Sequence, residues 1–155
     1  MRPITRADFA AVLAWNEDHV ELLAPLTEER LVTLIGWADT AAVIAHEGRD
    51  AGFVLTFAAG SDYDSPNFRW FAERYPSFVY LDRIVVDPAF RRTGLGTRVY
   101  DELEAAAGTP VFCLEVNSDP PNEPSLAFHR HRGYVEVGTL PFAGHEVMLF
   151  EKPLR

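Results

Sequence analysis

The chain has 155 residues, 48% of them apolar, and a formal net charge of −9. That is enough apolar material for the core of one domain spanning residues 1–155, close to the commonest domain size. No apolar run approaches the ~20 residues of a membrane helix, the start Met1-Arg2-Pro3-Ile4-Thr5-Arg6 lacks a signal peptide's apolar centre, and the acidic balance argues against nonspecific binding to nucleic acid or an anionic membrane, so the reading is a soluble, cytoplasmic protein.

Residues 6–19 carry Phe9, Val12, Leu13 and Trp15 at near-helical spacing, with Thr5 or Asp8 available as a cap. Leu22-Leu23-Ala24-Pro25-Leu26 breaks that helix. Thr27 then caps a second one, with Leu31, Leu34 and Ile35 on its apolar side. Strands follow at about 40–46 and 51–58, and the turn Glu47-Gly48-Arg49-Asp50 joins them as a hairpin. Residues 59–76 are the longest candidate loop and hold Tyr63, Phe68, Trp70, Phe71 and Tyr75 among glycine, proline and charges. Long loops in compact domains are often functional; here the aromatics either cover a substrate pocket or form a loop helix that packs on the core.

The most informative stretch comes next. An apolar strand over 77–86 is stopped by Asp87-Pro88, because proline offers no ladder donor and restricts the residue before it. Beyond Arg91-x-x-Gly94-x-Gly96, a helix over 95–107 places Leu95, Val99, Leu103, Ala106 and Ala107 on one face. Glycines in such a turn let successive backbone N–H groups point inward and let a ligand approach without a Cβ in the way. The helix N-terminus adds roughly half a positive charge. The turn therefore suits an anion such as a pyrophosphate, with Arg91, Arg92 and Arg98 as cations beside it in an otherwise acidic chain. The plainer reading is an ordinary connection with exposed arginines; strand, arginines, glycines and helix falling in register favour the anion site. A dinucleotide-binding turn would need the third glycine of G-x-G-x-x-G, and a P-loop would need Gly-Lys-Ser/Thr. Neither is present.

A further strand spans 111–117 and contains Cys113, the only cysteine, so no internal disulfide or cysteine metal cluster forms. Within Val111-Phe112-Cys113-Leu114 it reads as a buried, inert thiol. Strand alternation puts Glu115 and Asn117 on one face and Leu114 and Val116 on the other. Either Glu115 lies at the wet end of the strand, or it works in a cleft where partial burial raises its pKa toward that of a useful base. After the proline-rich 119–124, a short helix at about 123–132 ends at Gly133, and 134–138 with 146–150 make a closing antiparallel pair. On the strand over 77–86, Tyr80, Asp82 and Ile84 fall on one face.

Val86-Asp87-Pro88 followed by Arg91-Arg92-Thr93-Gly94-Leu95-Gly96 resembles the acetyl-CoA motif of the GNAT N-acetyltransferase superfamily. Asn122-x-x-Ser125-x-x-Phe128-His129-x-x-x-Gly133-Tyr134 resembles the second motif of that superfamily, and the two blocks cover roughly residues 80–135. The resemblance implies an α+β, three-layer α/β/α fold whose mixed, mostly antiparallel central sheet splays at the acetyl-CoA site. It implies pantetheine on the backbone of Ile84, Val85 and Val86, like an added strand. The pyrophosphate would rest on the amides of Arg92, Thr93, Gly94, Leu95, Gly96 and Thr97, beside Arg91. Asn122 matches an asparagine that contacts the cofactor in many members, and it also reads as a plain helix N-cap.

Glu115 matches the position of the general base in some members, and His129 stands where many relatives carry a tyrosine that protonates the leaving thiolate. That departure leaves His129 open between a catalytic or cofactor contact and a packing histidine. Candidates for the acceptor groove are Trp15, Asn16, Glu17, Tyr80 and Asp82, with Asp82 either facing the cleft or paired with an arginine. The implied activity is acetyl transfer from acetyl-CoA, as co-substrate, to a primary amine of a small molecule or peptide by direct attack in a ternary complex. A non-catalytic acyl-CoA-sensing module on the same fold is the alternative. The partners implied are acetyl-CoA and an amine, with no metal, nucleic acid or membrane; sheet edges and the aromatic loop would support a homodimer without requiring one.

Overall fold

The computed structural model describes residues 1–155. Its elements are β1 (Arg2–Pro3), α1 (Phe9–Glu17), α2 (Glu28–Trp37), β2 (Thr40–His46), β3 (Arg49–Ala58), α3 (Pro66–Ala72), β4 (Val79–Val86), α4 (Leu95–Ala106), β5 (Val111–Asp119), α5 (Glu123–His131), β6 (Val135–Phe142) and β7 (His145–Pro153), with short 3₁₀ turns at Arg6–Asp8 and Pro88–Phe90. The helix expected over 6–19 thus begins as a 3₁₀ turn and closes at Glu17. Residues 59–76 contain a helix: Ser65 caps α3 by accepting from the Phe68 N–H, and Pro66 occupies its first turn.

Seven strands form one sheet in the order β1-β2-β3-β4-β5-β7-β6. Only β4 and β5 run parallel, and every other neighbouring pair is antiparallel. Helices cover both faces, which gives the three-layer α/β/α arrangement. Val99, Tyr100 and Leu103 of α4 and Leu126 of α5 pack with Leu81, Phe112, Leu114 and Phe150 on one side. Val12 of α1, Leu31 and Leu34 of α2, and Phe68 and Phe71 of α3 pack with Phe53, Phe57, Tyr80 and Leu149 on the other. Each fully buried side chain of this size contributes roughly 1.5–3 kcal/mol of transfer free energy, so neither layer is dispensable.

Two irregularities shape the centre of the sheet. The parallel pairing of β4 with β5 covers only Val79↔Phe112, Tyr80↔Cys113 and Leu81↔Leu114, after which the strands separate. At the same place β4 bulges: Leu81 opposes Thr56 and Arg83 opposes Leu55, so Asp82 has no partner on β3. The extra residue reverses the alternation. Tyr80 and Val85 belong to the core beneath α1–α3, whereas Ile84 packs against the core beneath α4 and α5. The expectation that Tyr80, Asp82 and Ile84 share one face therefore fails at Ile84.

Candidate active site

The separation of β4 from β5 opens a cavity of about 590 Å³. Its floor is built from Leu81, Asp82, Arg83 and Ile84 on β4 and Leu114, Glu115, Val116 and Asn117 on β5. One wall comes from the loop 19–25 and from Tyr63–Pro66 before α3, the other from Tyr100, Asn122, Ser125 and His129, with Phe142, Ala143 and His145 at the rim. The loop over 59–76 forms the core-packing helix of one sequence reading, with Phe68 and Phe71 anchoring α3, while Tyr63 lines the cavity.

Beyond Leu81 the β5-facing backbone of β4, including Ile84, Val85 and Val86, has no strand partner, and its polar groups are open to a ligand that bonds like a strand. Val85 itself is buried in the core and offers only its backbone. The turn that follows leaves its amides free. Arg92 (φ 62°) and Gly94 (φ 77°) are both left-handed, and Gly94 caps α4. Six consecutive N–H groups, Arg92, Thr93, Gly94, Leu95, Gly96 and Thr97, donate to no acceptor within the protein. A Cβ placed on Gly94 or Gly96 would meet nothing, so the space over these amides is open. The Thr93 hydroxyl ties the turn to the Phe90 carbonyl at 2.7 Å. Arg91 and Arg92 are exposed and have no acidic partner. Arg98 instead turns away from the turn, to Glu102 at 3.1 Å and the Ala45 carbonyl at 2.6 Å. Asn122 caps α5, its Oδ1 accepting from the Ser125 N–H at 3.4 Å, while it also lines the cavity. An elongated ligand with amide groups and an anionic diphosphate, such as acetyl-CoA, fits this donor set.

Glu115 sits inside the cleft rather than at a wet strand end. The residue is half-buried, and Oε2 is sealed from solvent without a hydrogen-bond partner. Burial raises its pKa to about 8, against a smaller opposing effect from the amide of Asn67 nearby. Across the cleft floor, Asp82 accepts from the Tyr63 hydroxyl at 2.6 Å and from Arg83 Nε at 3.1 Å. Burial pushes the Asp82 carboxyl up, and Arg83 and Tyr63 pull it back. Asp82 therefore both lines the cavity and pairs with an arginine. Arg83, only 6% exposed, also donates to Asn16 Oδ1 and the Ala24 carbonyl, each at 2.8 Å. It pins the loop after α1 over the site. Cys113 is fully buried, and burial raises its thiol pKa, as suits an inert core residue.

His129 is 5% exposed and bonded at both nitrogens. Nδ1 lies 2.7 Å from the Ser125 carbonyl, which can only accept, so Nδ1 carries the proton. Nε2, 2.7 Å from Tyr100, then accepts the tyrosine's hydroxyl proton. Burial lowers the imidazole pKa and keeps the ring neutral.

Of the acceptor-groove candidates, only Asp82 reaches the cavity. Trp15 bonds Asp87 at 3.0 Å, Asn16 is buried under the loop, Glu17 points to solvent, and Tyr80 is enclosed in the core. Asn67, Arg83 and Tyr100 carry no functional signal of their own in the sequence, and Tyr63 stands out only as one of the five aromatics of the 59–76 loop. Their apolar or charged neighbours give no periodic signal, and only the placement of α3 and the bulge at Asp82 brings them to the cleft.

A splayed sheet, a turn of free amides and a carboxyl in the gap make up one site of an α/β/α fold. The acetyltransferase (GNAT) family model matches residues 6–134, and the chain belongs to that family. The chain is 41% identical over 66 residues to the N-alpha-acetyltransferase RimI of Mycobacterium tuberculosis, a match covering 42% of this chain and 40% of that protein. It spans less than half the length of the curated relatives it matches. Among solved structures it is similar to Ard1 from Thermoplasma volcanium, with a TM-score of 0.79 at 17% identity over 99% of this chain and 96% of the other. Arabidopsis thaliana NAA60, solved in complex with a bisubstrate analogue, gives a TM-score of 0.69 at 19% identity over 99% and 96%. At these identities the likeness speaks for the fold.

Proposed function

We propose that this chain is an acetyl-CoA-dependent N-acetyltransferase acting on a primary amine by direct attack in a ternary complex. One observation carries the reading: the β4–β5 separation sets Glu115 in the gap, and the six unpaired amides Arg92–Thr97 lie on the turn that leads from splayed β4 into α4, whose Tyr100 lines the same cavity. Acetyl-CoA supplies an activated thioester, whose C–S bond breaks as the N–C bond forms. Arg92–Thr97 and Arg91 hold the pyrophosphate, the free edge of Ile84–Val86 holds the pantetheine, and Asn122 orients it.

An amine arrives mostly as ammonium, with a pKa near 10 for a lysine-like group, and must lose a proton before it attacks. Glu115, ionised, accepts that proton directly or through a water. The second nitrogen proton leaves after attack, and the departing thiolate takes up one, so one proton is released per turnover. On the leaving-group wall His129 has no proton on Nε2 to give, and we assign the thiolate contact to the Tyr100 hydroxyl, which makes it by turning its one proton from His129 Nε2 to the sulfur. The acceptor half has no arginine or lysine free of an acidic partner, since Arg30 pairs with Asp64 and Arg83 with Asp82. This favours an amine with no carboxylate beside it, such as a peptide N-terminus or an aliphatic amine.

Acetyl-CoA at 100-fold excess over its Kd stabilises by about 2.7 kcal/mol, or ~5 °C or more in Tm for a chain of this size. Gly96→Trp, which meets open space in the fold, should abolish that shift. No shift in the wild type at millimolar acetyl-CoA would sink the proposal. A shift with no thiol release across a broad amine panel would turn it toward the sensing alternative.

A further inference from the structure

Asn67 is the second residue of α3 and is completely buried, with 0% exposure. Neither its Oδ1 nor its Nδ2 has a hydrogen-bond partner of normal geometry. Glu115 Oε2, equally sealed, also has none. Orphaned polar atoms are rare in folded proteins because each forfeits its hydration without replacement. Here an amide and a carboxyl are orphaned side by side, near enough for the amide to act on the carboxyl's ionisation. The packing of α3 enforces this placement. The buried Phe68 and Phe71 clamp the helix to the sheet, and Pro66 and Ser65, just before Asn67, already line the cavity.

We propose that Asn67 is a positioning residue for Glu115, an amide held beneath the cleft floor to bond the carboxyl in both of its protonation states. An asparagine side chain both donates and accepts, and rotation of its amide exchanges the two ends. Oδ1 accepts from the neutral carboxyl, and Nδ2 donates to the carboxylate once the proton has left. Other polar neighbours do not duplicate this role. The Tyr63 hydroxyl is committed to Asp82, Asp82 and Arg83 neutralise each other, and the Cys113 thiol shares the strand face but is a weak donor. On β7, Leu149 opposes Glu115 and brings no charge; His129 and His145 line the same cavity from α5 and the rim. The inference rests on the reading of Glu115 as the base.

The test compares Asn67→Leu, close in volume but unable to hydrogen-bond, with Asn67→Ser, which keeps a donor and acceptor. Two readouts are taken: kcat/KM for thiol release against pH, and the Glu115 carboxyl titration by infrared spectroscopy without substrates, assigned by its loss in Glu115→Gln. Removing a hydrogen bond to a charged group is expected to move both upward by about one pH unit in Asn67→Leu and by less in Asn67→Ser, with KM for acetyl-CoA unchanged. Folded Asn67→Leu with an unmoved carboxyl titration overturns the proposal, as does a Ser variant displaced as far as the Leu variant. A titration that moves while the rate profile stays put upholds the Asn67–Glu115 pairing and removes Glu115 from the reaction instead.

Discussion

Replacing Glu115 with glutamine separates the carboxyl's ionisation from its shape. In the folded chain the group holds its proton to about pH 8, against an ordinary value of 4.5. Because the folded-state value is raised, the proton's stabilising contribution is complete below pH 4.5 and is lost as pH rises through about 8. At ~1.4 kcal/mol per pH unit, that span corresponds to at most ~5 kcal/mol. Glu115 is only half-buried and the cleft wets part of the carboxyl, so about 2–3 kcal/mol is the expected effect. Glutamine never ionises. Wild-type stability should therefore fall relative to Glu115→Gln by that amount between pH 4.5 and 8.5. Urea unfolding followed by tryptophan fluorescence at pH 4.5, 6.5 and 8.5 measures it. Parallel pH profiles for the two proteins would refute a perturbed carboxyl. The same variant should lose 10²–10⁴-fold in kcat, with acetyl-CoA affinity nearly intact. Wild-type kcat/KM should rise with pH toward about 8.

Three other outcomes follow from the same structure. Gly52 has φ +155°, and a Cβ there would lie 1.8 Å from the Val85 carbonyl oxygen, so Gly52→Ala should cost ~3 kcal/mol or more in urea unfolding by prying β3 from β4. The Tyr80 hydroxyl is buried without a partner, so Tyr80→Phe should be neutral or raise stability by up to ~1 kcal/mol; a loss beyond 1 kcal/mol would mean the hydroxyl is bonded. Alanine amide should be acetylated with a higher kcat/KM than free alanine in a thiol-release assay, and the reverse order would contradict the charge balance of the acceptor half.

Local chemistry dictated much of this protein before any contact formed. The proline after Asp87, the glycines at 94 and 96 and the apolar face of Leu95, Val99 and Leu103 are read from neighbours a few residues away, and they produce a strand, an open turn and a helix where expected. Thr27 and Asn122 cap their helices for the same reason. What only the tertiary structure decided lies across long separations. A bulge at Asp82 depends on pairing with β3, 26 residues upstream, and it sends Ile84 to the face opposite Asp82, while the separation of β4 from β5 opens the cleft that Asp82 lines. The meeting of His129 with Tyr100, and of Asn67 with Glu115, needs two elements docked on a finished sheet. Spacing along the chain makes the elements. Register and splay decide which polar side chains are sealed together, because burial is a property of the assembled layers.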